Sequence, residues 1–141
     1  MRWLSLPALL LVILAGCGGD GYKVAPVSGQ VTLNGKPLAK ASVTFSPVAS
    51  GKNLEPGPSS YGHTDENGRY TLKLMTNDSS GAVVGKHKVQ VAIMEEERDP
   101  SDDRSRPGVK QLPGKYNSHT KLEFDVPAGG TQSADFNLTV P

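Results

Sequence analysis

Apolar residues in this chain recur at every second position, in short runs cut by turn-forming residues. Ala41, Val43 and Phe45 alternate with Ser42, Thr44 and Ser46, and Pro47 closes the run. Successive side chains of an extended strand point to opposite faces, so this segment buries one face and wets the other. The same parity joins Val27, Val31 and Leu33 with Gly29 between them, and it joins Tyr70, Leu72 and Leu74. Val89, Val91 and Ile93 alternate with Lys88, Gln90 and Ala92 in a strand expected to begin near Val83. Near the end come Leu122, Phe124 and Val126, then Ala134, Phe136, Leu138 and Val140. No segment carries a persuasive helical period, and no internal repeat is visible.

The punctuation between these runs is turn chemistry. Asn34-Gly35 accepts the positive φ values of a type I′ turn and predicts a hairpin. Asp65-Glu66-Asn67-Gly68, whose Asn and Gly tolerate left-handed backbone, predicts a second hairpin from the strand at 61–64 to the strand at Tyr70. Pro127-Ala128-Gly129-Gly130 predicts a C-terminal hairpin joining the last two runs. Residues 48–60 and 95–111 lack a period and are expected to be surface loops, with a polar bend at 76–81. A chain of 141 residues with 36% hydrophobic content, 16 Gly and 11 Pro suits a single all-β core. The expected architecture is an antiparallel β-sandwich of about seven strands over residues 27–141.

The first residues have a different purpose. Arg2 precedes an almost unbroken apolar stretch at 4–14, and the small residues Ala15 and Gly16 follow, the layout of a secretory signal peptide. A transmembrane helix needs roughly 20 apolar residues, more than this stretch supplies before Gly18, Gly19 and Asp20. Leu14-Ala15-Gly16-Cys17 resembles the lipobox read by lipoprotein signal peptidase. That chemistry needs a thiol as the nucleophile that takes a diacylglycerol group, and Cys17 is the single cysteine of the chain, with no disulfide partner. The expected organisation is a cleaved signal peptide at 1–16, a lipidated tether at 17–26 and the sandwich domain at 27–141. Each acyl methylene buried in lipid contributes ~0.8 kcal/mol, so two or three chains hold the protein at the membrane. By resemblance to enterobacterial sorting, Gly18 after the cysteine favours the outer membrane.

Charge excludes one class of partner. Lys and Arg number 15 against 14 Asp and Glu, and loss of Arg2 with the signal leaves 14 against 14. Without a basic excess there is no footprint for a nucleic-acid backbone.

Three segments together resemble the carboxypeptidase regulatory-like domain, a transthyretin-like (prealbumin-like) sandwich also found in small bacterial lipoproteins. They are Ser28-Gly29-Gln30-Val31-Thr32-Leu33-Asn34-Gly35-Lys36-Pro37-Leu38 with Ala41-Ser42-Val43-Thr44-Phe45, then Thr64-Asp65-Glu66-Asn67-Gly68-Arg69-Tyr70-Thr71-Leu72, then Gly85-Lys86-His87-Lys88-Val89-Gln90-Val91. Leu112-Pro113-Gly114-Lys115-Tyr116-Asn117 is similar to the lipoprotein members. The resemblance implies a fold and a generally non-catalytic accessory role, and it transfers no functional residue, because its motifs are turns and core faces.

The titratable residues give no assembled site. His63, His87 and His119 lie on separate segments without paired spacing, and His87 shares parity with Val89 and Val91, so no zinc site is expected. Asp99, Asp102 and Asp103 lack the spacing of a calcium loop and share their segment with Arg98, Arg104 and Arg106. A transthyretin-like hydrolase uses histidines, an arginine and a C-terminal Tyr-Arg-Gly-Ser, whereas this chain ends Leu138-Thr139-Val140-Pro141. An isopeptide bond of the collagen-adhesin type would join a first-strand Lys to a last-strand Asn; Asn137 is suitably late, but residues 30–33 hold no lysine. The expectation is therefore a non-enzymatic envelope module with no catalytic, cofactor or metal residue. Its partners would be the membrane, through lipid on Cys17, and an envelope protein or glycan met by loops or a sheet edge. The competing expectation is a small-molecule carrier or hydrolase like the transthyretin relatives, which a pocket of converging His and Arg side chains would favour.

Overall fold

The computed structural model describes residues 22–49, 56–94 and 112–141. Residues 1–21, including the signal segment and Cys17, lie outside the described residues, as do 50–55 and the segment 95–111 with Asp99, Asp102 and Asp103. The described chain is all-β. Its strands are β1 (Val24–Ala25), β2 (Ser28–Leu33), β3 (Lys36–Pro37), β4 (Ala41–Pro47), β5 (Ser60–His63) and β6 (Arg69–Thr71). They continue as β7 (Lys73–Leu74), β8 (Ala82–Val83), β9 (Gly85–Ile93), β10 (Glu123–Val126) and β11 (Phe136–Leu138). One 3-10 turn, Gly114–Tyr116, precedes β10.

An antiparallel sheet runs β10-β9-β4-β5-β7. In the second sheet β11 lies parallel to β2, while β3 and β6 share successive parts of β2 in antiparallel register. β1 and β8 form a separate short ladder. The inner faces of the two main sheets meet in one core, where Phe45 of β4 lies 6.0 Å from Phe136 of β11 and 5.8 Å from Phe124 of β10. The alternation along β4 is realised residue by residue, with Ala41, Val43 and Phe45 fully buried and Ser42, Thr44 and Ser46 half-buried. Val31, Leu72, Val89, Val91 and Leu138 complete this sandwich-like interior.

Asn34 (φ 50) and Gly35 (φ 82) both occupy the left-handed region and set Leu33 opposite Lys36, the geometry of a two-residue hairpin. The turn at 65–68 forms around Asp65, whose carboxylate accepts from the Asn67 and Arg69 backbone N–H groups at 2.8 and 3.0 Å. Gly68, and not Asn67, takes the positive φ there.

Two pairings differ from the sequence reading. The runs at 122–126 and 134–140 have the expected faces but form no hairpin, because β10 joins β9 while β11 joins β2 in the other sheet. The backbone after the turn finds partners on the chain entering β2: Thr131 N–H donates to the Pro26 carbonyl, Ser28 N–H to the Thr131 carbonyl, and Ala134 N–H to the Ser28 carbonyl. The second expected hairpin is only partial. β6 leaves β5 and pairs with β2, Gly29 opposite Tyr70, and only β7 returns to β5, with Tyr61 opposite Lys73. Among the described residues eleven short strands appear where about seven were expected, because the runs at 69–74 and 82–93 each divide in two and β1 and β3 are added.

The stretch read as tether also contributes to the fold. Val24 and Ala25 pair with Val83 and Ala82, and Ala25 is buried in the core, so ordered structure begins before residue 27. On the far side, the Tyr116 hydroxyl donates to the Thr139 carbonyl at 2.9 Å and accepts from the Thr139 N–H at 3.0 Å, which ties the 3-10 turn to the chain after β11.

Candidate functional site

The departure of β6 from β5 opens a cleft on the outside of the molecule. Tyr61 and His63 stand on the outer face of β5, since Gly62 between them is buried, and their rings lie 5.7 Å apart. Lys73 of β7 stands beside Tyr61 in the same sheet, and Arg69 and Thr71 of β6 line the other side with exposed side chains. The open depression they bound has a volume of about 640 Å³ and also touches Ser28, Asp65 and Tyr70.

Hydrogen bonding fixes some of these groups and leaves others for a ligand. The Tyr61 hydroxyl donates to the Asp78 carboxylate at 2.9 Å, and that bond, with the aspartate's charge, raises the phenol above its ordinary range. Asp65 is occupied by its own turn. Tyr70 is buried beneath the cleft with its hydroxyl donating to the Ala134 carbonyl, and burial raises it strongly, so it is a neutral floor and not an acid or base. Arg69, Lys73 and the Tyr61–His63 ring pair are what the cleft offers to solvent. Cations beside an aromatic ledge suit a polar or negatively charged ligand with flat apolar faces.

A serine or threonine hydroxyl becomes a nucleophile when a base hydrogen-bonds to it. Among the described residues no hydroxyl or carboxylate hydrogen-bonds to His63. Ser60 on the same strand is fully buried with its hydroxyl unpaired and faces away from the cleft.

The three histidines stand apart. His63 lines this cleft, and His119 lines a second depression of about 500 Å³ with Ser46, Lys88, Gln90 and Lys121. His87 is fully buried on the inner face of β9, 5.4 Å from the Phe45 ring. Its Nε2 lies 2.6 Å from the Val83 carbonyl oxygen, which can only accept, so Nε2 carries the proton and Nδ1 is left without a partner. Burial is the main influence on this imidazole and lowers its pKa, against weaker opposing effects from the Val83 carbonyl and Asp125. Among the described residues no group of three or more His, Cys, Asp or Glu is placed to hold a metal ion.

Asn137 stands beside Thr32 across the parallel β2–β11 pair, and the Thr32 hydroxyl donates to its side-chain carbonyl at 2.7 Å. Its neighbour is therefore a hydroxyl and not the amine an isopeptide bond would consume.

Sequence reasoning singled out His63 but not Tyr61, Arg69 or Lys73. Parity around Gly62 would have put Tyr61 and His63 on one face; the pairing that sets Lys73 beside Tyr61 and the sheet change that brings Arg69 opposite them have no local signal. No family model, curated protein or solved structure matches this chain.

Proposed function

We propose that this protein is a lipid-anchored, non-catalytic accessory module of the cell envelope, favouring the outer membrane, that binds an envelope glycan or protein. Two things support the anchor: the apolar stretch ending in Leu14-Ala15-Gly16-Cys17, and the solitary thiol. The transthyretin-like, carboxypeptidase regulatory-like reading of the fold is supported by what its three motif segments encode. They correspond to the β2–β3 hairpin with β4, the 65–68 turn with β6, and β9.

The observation that carries the binding role is the open cleft in which the Tyr61–His63 ledge, with Lys73 beside it, faces Arg69. Of the two partner classes, a sugar chain bearing carboxylates fits these walls best: pyranose faces stack on rings, and the cations meet the acid groups. Titration with fragments of an acidic envelope polysaccharide should show saturable binding that Arg69→Glu with Lys73→Glu abolishes. Equal binding by that variant would reject the cleft as the site.

One observation favours a second reading, a small-molecule carrier or hydrolase: His63 and Arg69 line the same depression. Under that reading the native protein binds or turns over a small anion, His63→Ala removes that activity, and the acidic polysaccharide does not bind.

A further inference from the structure

The sandwich has two unlike ends, and Val24 lies at the one that carries both exposed large hydrophobic side chains of the described residues. Val24, 39% exposed, and Met75, 52% exposed, are the exposed large hydrophobic side chains among the described residues. Register puts both on the same end. Val24 lies opposite Val83 of β8, which leads at once into the start of β9, where Gly85 faces Val126. Met75 N–H donates to the Ser59 carbonyl just before β5, and the first residue of β5, Ser60, pairs with Phe45 near the finish of β4. Pro47, the last residue of β4, pairs with His87 near that same start of β9.

The turn at 127–130 closes this end against Pro26, and its exposed Pro127, Ala128 and Gly129 carry no charge. Asp78, the carboxylate of the 76–81 bend, is engaged by Tyr61, and Lys86 is paired with Glu123 at 3.2 Å. Lys23 and Asp125 add an exposed charge of each sign. The other end bears the Asn34-Gly35 turn, the exposed Asp65 and Glu66, and Met94, whose N–H donates to the Lys40 carbonyl where the chain departs toward the charge-rich 95–111 sequence.

From the end that carries both exposed apolar side chains we infer a membrane seat: Val24 and Met75 enter the headgroup region of the bilayer that holds the lipid on Cys17. This rests on the lipidation proposed above. The length of chain between the two supplies the reason for choosing a lipid surface over a protein. Residues 17 to 22 span at most roughly 18 Å at full extension, so the end carrying Val24 cannot travel far from the bilayer. Two exposed side chains bind a membrane weakly from free solution, but a short tether converts their contact into an intramolecular event at high effective concentration. Seated this way, the turns at 34–35 and 65–68 face outward, and the Tyr61–Arg69 cleft opens sideways above the membrane surface.

The tryptophan count makes a direct test available. The chain's one tryptophan is Trp3, ahead of Cys17, so single-tryptophan variants of the chain from Cys17 onward, which contains every described residue, report on one position each. Met75→Trp, Val24→Trp and Glu66→Trp would be coupled through the Cys17 thiol to a maleimide lipid in phosphatidylcholine vesicles, with circular dichroism confirming the fold. Brominated acyl chains should quench the tryptophans at 75 and 24 several-fold and shift their emission to the blue, while the one at 66 emits as in water. Equal emission at all three sites, or quenching at 66 alone, overturns the membrane seat. Because the maleimide lipid imposes the anchor, that failure is separate from failure of the lipidation itself, which the mass of the native mature protein decides.

Discussion

Two turns with similar sequence surroundings do opposite things in this molecule. Asn34-Gly35 and Pro127-Ala128-Gly129-Gly130 each separate runs of strict alternation, yet the first returns the chain within its sheet and the second carries it across the core into the other sheet. Two residues at positive φ leave no choice: Leu33 and Lys36 must pair, and their side chains stay on the same faces. The longer connection at 127–135 imposes no register, so its backbone groups are free to bond to Pro26 and Ser28. The apolar faces then oppose one another across the interior, with the Phe124 and Phe136 rings 6.1 Å apart and inclined at 68°. A tight turn makes a sheet and a loose one makes the sandwich; alternation alone is common to both.

Perturbations sharpen that contrast. Phe45 touches both sheets through Phe124 and Phe136, so Phe45→Ala should cost about 3–5 kcal/mol in a denaturant melt. A shift near zero would mean that the crossing connection does not bring the two faces together. Gly29 lies where β2 meets the returning chain, and a Cβ there would overlap the carbonyl oxygen of Ala134. Gly29→Ala should therefore cost about 1–3 kcal/mol by forcing the backbones apart, and an unaffected melting temperature would contradict the parallel approach of these segments.

His87, buried on β9 beside the Phe45 ring, gives a pH signature. Its folded pKa is lowered by burial, so as pH falls below about 6.5 the unfolded chain takes up a proton that the folded one refuses. Stability contributed by the neutral ring is complete above that pH, and it declines by about 1.4 kcal/mol per pH unit until the folded pKa is reached. His87→Gln should remove this slope; an identical slope in the variant would assign it to other groups. Smallest is Gly35→Ala, which places a side chain at φ 82 and should cost about 1 kcal/mol, with the hairpin retained by amide exchange.

What could be read in advance follows from how local each determinant is. Burial along β4, β9 and the Phe124 and Phe136 runs depends only on parity, which neighbouring residues state among themselves. The β2–β3 hairpin was legible because Asn34-Gly35 fixes its own φ values. Pairing partners for β6, β10 and β11 are settled by competition among distant backbones, and nothing within residues 69–71 distinguishes a strand that bonds to β5 from one that bonds to β2. The same holds for Val24 and Ala25, which resemble a tether until Val83 and Ala82 are placed beside them. The candidate cleft inherits this division: His63 was visible as a titratable residue, whereas its opposition to Arg69 exists only because β6 changes sheets.

Everything proposed about function depends on where the mature chain begins and what its first residue carries. Intact-mass and fragment mass spectrometry of the protein recovered from cell membranes measures both. The account predicts an N-terminal Cys17 whose mass is raised by a thioether-linked diacylglycerol, and a Cys17→Ser protein that leaves the detergent phase. A chain that retains residues 1–16, or a Cys17 with a free thiol in the membrane-bound protein, would contradict it.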